Sequence, residues 1–139
     1  LMPQKSSSKG KMTPAEQREL DVQIRFMEGL VRRDPAYVDA WQLLGDNYTR
    51  RGRYVEGLEV DERLAKLEPR NALVFYNLAC SYSLTDQFDR AVKALKQAIK
   101  LGYRDFKWLA KDPDLRKLRK HPSFQDITEV VRQLKNGEL

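Results

Sequence analysis

From Thr13 onward, apolar residues return every three or four positions, the spacing of a helix that buries one face and wets the other. Leu20, Ile24, Met27 and Val31 mark the first such helix, which should stop before Asp34 and Pro35. Thr13, Pro14 and Glu16 supply its start, a capping box with proline where the missing N–H costs nothing. Tyr37, Ala40, Trp41, Leu44 and Tyr48 form a second face, interrupted at Arg51, Gly52 and Arg53. A third helix carries Tyr54, Leu58, Leu64, Ala65 and Leu67 and closes before Pro69. Asn71 caps a fourth, with Phe75, Leu78, Ala79 and Tyr82, and the turn at Thr85 and Asp86 leads to a fifth. That helix turns Phe88, Ala91, Leu95, Ala98 and Ile99 inward and ends at Gly102. Residues 1–12 lack any apolar period and read as a disordered tail, leaving one helical domain over 13–139.

The helices repeat. Trp41, Leu44, Gly45, Tyr48, Leu64 and Pro69 shift by 34 residues onto Phe75, Leu78, Ala79, Tyr82, Ala98 and Tyr103, and Tyr54 shifts onto Phe88. Small Gly45 and Ala79 would let paired helices approach while the aromatics beside them fill the space between layers. This period, with Trp41-x2-Leu44-Gly45-x2-Tyr48, resembles the tetratricopeptide repeat. The resemblance implies an all-α fold of helical hairpins stacked as a short right-handed solenoid. Complete units would span 35–69 and 70–103, after a partial unit's helix at 13–34. Gly57 and Asp61 depart from the family pattern, which favours alanine and a large apolar residue there; Val60 is the expected substitute in the packing, with Asp61 either exposed at the rim or paired with an arginine.

Beyond Tyr103 the period fails. Asp112-Pro113-Asp114-Leu115 and His121-Pro122-Ser123-Phe124 each set proline at a helix start, and Phe124, Ile127, Val131 and Leu134 make an apolar stripe. Residues 104–139 therefore read as a C-terminal cap covering the last repeat, since an open-ended stack exposes its terminal apolar face.

Composition narrows the chemistry. In 139 residues, 41% are apolar and 33% charged, the balance of a soluble globular chain. No apolar run approaches the roughly 18 residues of a membrane span, and a cytoplasmic location is expected. One cysteine, Cys80, excludes an internal disulfide, and with a single histidine, His121, no Cys/His metal site can form. His121 beside Pro122 reads as structural, and Cys80 as a small packing residue inside a helix. No nucleophile motif, paired carboxylates or phosphate-cradling loop stands out, so neither catalysis nor a cofactor is expected.

Binding is the better-supported class. Asp39, Gln42, Asp46 and Thr49 share the face of the second helix turned away from Trp41, Leu44 and Tyr48, and Leu73, Tyr76, Cys80 and Ser83 follow one period later. The family resemblance implies that these eight positions line a concave groove for a peptide or partner protein, with Leu73 and Tyr76 as apolar anchors. The protein's own tail or cap is an alternative occupant. A chaperone-type carboxylate clamp is rejected, because Gln42 and Asp46 stand where that variety needs lysine and asparagine.

The net charge of +6 is concentrated, with 11 basic against 3 acidic residues in 90–120. Arg90, Lys93, Lys96 and Lys100 would form a convex stripe on the fifth helix, an alternative surface for nucleic acid, an acidic protein or a membrane surface. Without interleaved exposed aromatics the stripe reads first as a solvated face, and nucleic acid is disfavoured.

Overall fold

The computed structural model describes residues 11–137, and among them there are eight α-helices, two short 3-10 turns and no strand. Five long helices come first: α1 (Pro14–Arg33), α2 (Val38–Arg50), α3 (Tyr54–Leu67), α4 (Ala72–Leu84) and α5 (Phe88–Lys100). The sequence-predicted capping box is present at α1, where Thr13 and Glu16 exchange hydrogen bonds with each other's backbone N–H groups. Hydrogen bonding to Thr13 holds the Glu16 carboxyl below its ordinary range. Asn71 caps α4, its side chain accepting from the N–H groups of Leu73 and Val74.

The 34-residue offset survives in three dimensions, with α2 and α4 matching end for end and α3 and α5 starting one period apart. Even the hairpin turns correspond. Gly52 takes φ 83° after α2, and Asp86, one period later, takes φ 61° after α4. Each lets the next residue's N–H reach a carbonyl five residues back, Arg53 to Tyr48 and Gln87 to Tyr82, both at 2.8 Å. Consecutive helices pack from α1 through α5.

Two apolar clusters fill the layers. The first joins α1, α2 and α3 through Leu20, Ile24, Leu44, Tyr48, Val60 and Leu64. Close approach of α2 to α3 depends on Gly45: a Cβ there would lie 3.0 Å from Val60 Cγ1. Val60 is buried, as the substitute for the family's apolar residue should be. Asp61 is not at the rim; it is 1% exposed and accepts a hydrogen bond from the buried Ser81 hydroxyl of α4. Burying a carboxylate is costly unless donors meet it, and Ser81 is such a donor from the neighbouring unit.

The second, larger cluster joins α3, α4 and α5 to the C-terminal segment. That segment runs as α6 (Phe106–Leu109), a 3-10 turn at Pro113–Leu115, α7 (Arg116–Arg119), a 3-10 turn at Pro122–Phe124 and α8 (Gln125–Lys135). The first turn and α7 lie on α4, and α8 lies on α5. Leu115, Leu118 and Ile127 are fully buried, so this is a cap on the last repeat. Most of the expected tail lies outside the described residues. Met12 does not: it packs against the first cluster and its carbonyl accepts from Gln17 Nε2 at 3.5 Å.

Candidate protein-binding site

The eight groove positions fall on α2 and α4, but the two helices present them differently. On α2, Asp39 is exposed, Gln42 and Asp46 are half-buried, and Thr49 is buried with its hydroxyl donating to the Gly45 carbonyl at 3.1 Å. Leu43 stands among them, 51% exposed. Sequence reading passed over Leu43 because its position lies between the inward and outward faces. An apolar residue flanked by Asp39 and Asp46 at helical spacing was the available signal.

On α4 the expectation of an open wall fails. Tyr76, Cys80 and Ser83 are each 0% exposed, and Leu73 is half-buried at the seam between the two clusters. The chain itself covers them. Asp112, at the start of the Pro113–Leu115 turn, projects its carboxylate onto α4 and accepts from the Tyr76 hydroxyl at 2.6 Å and the Cys80 thiol at 3.7 Å. The Tyr76 ring stacks on Tyr103 with centroids 4.3 Å apart and planes 13° from parallel. Burial, reinforced by the negative charges that Cys80 and Asp112 can carry, pushes the Tyr76 hydroxyl far above its ordinary ionisation range.

The covering loop is held from both sides. Asp112 accepts from the Asp114 N–H at 3.0 Å, and Arg119 Nη1 donates to the carbonyls of Leu109 and Asp112 at 3.0 and 2.8 Å. Ligand-type atoms of Cys80, Asp112 and Asp114 lie within 4.8 Å of one another. The Asp112 oxygen nearest Cys80 already serves Tyr76 as well, so the cluster works as a hydrogen-bond network joining repeat to cap. Asp112 is the residue that sequence reading missed in this role, having taken it as a helix-start residue alone.

The basic stripe is present: Arg90, Lys93, Lys96 and Lys100 are all exposed on α5. Two of them have partners. Lys96 Nζ lies 3.1 Å from Asp126 of α8, and Arg90 donates to Gln87 at 2.9 Å. His121 is structural, accepting from the Ser123 N–H through Nδ1 and stacking on Phe88 with centroids 4.7 Å apart.

Paired helices stacked at a constant period and closed by a cap define a helical-repeat protein. Residues 72–101 match the tetratricopeptide repeat model, so this stretch of the chain carries a tetratricopeptide repeat. A chloroplastic protein of Arabidopsis thaliana is 41% identical over 86 residues, covering 60% of this chain and 26% of its own length. PEX5-related protein of Mus musculus is 32% identical over 132 residues, 87% of this chain and 23% of its own. A peroxisomal targeting signal receptor of Komagataella phaffii is 35% identical over 91 residues, 63% of this chain and 16% of its own. The chain thus spans about a quarter or less of these relatives. No helix among the described residues is long and apolar enough to cross a membrane.

Proposed function

We propose that the chain is a non-catalytic protein-interaction module that holds a partner peptide against the outer face of α2. The carrying observation is the contrast between the two repeats. The α4 half of the groove holds the chain's own Asp112, whereas on α2 the exposed Leu43 lies between Asp39 and Asp46. An apolar anchor flanked by carboxylates suits a ligand with basic residues around an apolar side chain. Gln42 supplies an amide beside the anchor, and Leu73 borders the face from the next unit. Thr49, Tyr76, Cys80 and Ser83 then support the face from within. The similarity to proteins named as targeting signal receptors agrees with recognition of a short segment.

Peptides selected from a random display library against the whole chain test this reading. Lysine or arginine around an apolar residue should be enriched, with affinities of roughly micromolar, or about 8 kcal/mol. Leu43→Ala should weaken such peptides by about tenfold, and Asp46→Lys should weaken them more at low salt than at high salt. Peptides bound equally well by both variants would count against the α2 face. The basic stripe is the second reading, favoured by the exposure of Lys93 and Lys100 beside Lys96. It requires binding that falls steeply with salt and disappears when the three lysines are replaced by glutamate.

A further inference from the structure

The cap leaves a cleft of about 370 Å³ between α6 and α8. Phe106, Leu109, Phe124, Ile127 and Val131 line it, and all five belong to the larger apolar cluster or pack against it. The charged side chains lining the cleft are Arg119, Arg132 and Lys135, with no carboxylate among its lining residues. Arg132 pairs with Glu129 at 2.6 Å and Arg119 bonds the Leu109 and Asp112 carbonyls, which leaves the rim with a net positive charge.

Two other surfaces are less selective. A cavity of about 640 Å³ between α1 and α3 sets Glu28, Glu56 and Glu59 against Arg32 and Arg63, so it favours neither sign of charge strongly. The α5 stripe has charge without an apolar floor. The cleft between α6 and α8 joins the two features.

We propose that this cleft is a second interaction site, which receives an acidic amphipathic helix from a partner protein. The apolar floor would take leucine-type side chains at helical spacing, and the basic rim selects carboxylates on the flanks. The 11 residues of α8 span about 16 Å, so the matching contact is about three turns long. The site is separate from the α2 face, and either can fail without the other.

The probe is a fluorescein-labelled, side-chain-stapled helical peptide of about 14 residues, with leucine at i, i+3, i+7 and i+10, glutamate at the four positions flanking the leucine stripe and alanine elsewhere, compared with its lysine counterpart by anisotropy. The glutamate peptide should bind and the lysine peptide should not. Thr128→Trp, at an exposed position on the cleft wall, should plug it and abolish binding without touching the buried core. Lys135→Glu should weaken binding about fivefold at low salt, as expected for one rim charge. Lys93→Glu, on the α5 stripe, should leave it unchanged.

Equal binding of both peptides, or insensitivity to Thr128→Trp and Lys135→Glu, overturns the proposal. So does loss of binding in Lys93→Glu, which would move the site to α5. Sodium decanoate that binds with Thr128 dependence while the glutamate peptide does not would assign the cleft to a small amphiphile. Self-association abolished by Thr128→Trp in sedimentation would assign it to a second copy of the chain.

Discussion

Tyr76 shows how one side chain can change from candidate ligand contact to core. Its ring stacks on Tyr103 and its hydroxyl meets Asp112, so replacement by phenylalanine keeps the stack while removing a donor from a buried carboxylate. Tyr76→Phe should cost about 1–3 kcal/mol in urea unfolding, the range for a buried polar group deprived of its partner. The raised ionisation range adds a pH signature. An acid held neutral by the fold contributes stability that is complete below its ordinary value of 10.0 and is lost as pH rises beyond it. Tyr76→Phe should therefore flatten the alkaline fall in stability, measured by urea midpoints across that range. Ser81→Ala, which removes a donor to the buried Asp61, should cost a further and separable 1–3 kcal/mol or so. Neither pair was legible in the sequence, because each joins residues 20 or more positions apart and hydrogen-bond partners carry no periodicity.

At the scale of the helices, the sequence was informative because helix boundaries and packing faces are local properties. The capping box at Thr13, the Asn71 cap and the proline stops could be read directly, and the period placed α2 to α5 in register. Gly45 is the most testable of these readings. An added Cβ meets Val60 Cγ1 at 3.0 Å and Asp61 Oδ1 at 3.4 Å, so Val60 would have to give by a few tenths of an ångström. Alanine gains about 1 kcal/mol of helix propensity over glycine, which should offset that crowding and leave Gly45→Ala close to neutral. Leucine gains nearly as much propensity, but its three further carbons have no room beside Val60 and Asp61. Gly45→Leu should lose about 1–3 kcal/mol by forcing α2 from α3, and an unchanged urea midpoint would show that the helices are not held at this distance by Gly45. The turns at Gly52 and Asp86 were both readable, but the left-handed backbone at Asp86 was not, because aspartate adopts that conformation only when its surroundings favour it.

Across the whole molecule, the decisive relation is between the repeats and the segment that closes them. Sequence alone identified a cap from its apolar stripe and the failure of the period, and offered it as one occupant of the expected groove, yet could not say that the cap's first turn would lie on α4 and bury Tyr76 and Cys80. That placement is set by Asp112, Leu115 and Leu118 meeting partners on a helix many residues earlier. Removing the chain from Pro122 onward separates the cap's two parts, because the Asp112 turn and α7 remain while α8 is lost. Ile127 is fully buried, and Phe124, Val130, Val131 and Leu134 pack partly against the cluster. A fully buried aliphatic side chain contributes about 1.5–3 kcal/mol and these partly buried ones less, so the loss should be several kcal/mol. The Lys96–Asp126 pair adds little, since both partners are well exposed. Against a typical total of about 5–15 kcal/mol, the truncated protein should be marginal, with a newly exposed apolar surface on α5. Sedimentation should show dimers or larger species, and the urea midpoint should fall sharply. A truncated chain that remained monomeric with the full-length midpoint would mean that α8 rests on the repeats without stabilising them, leaving the Asp112 turn and α7 to close the stack alone.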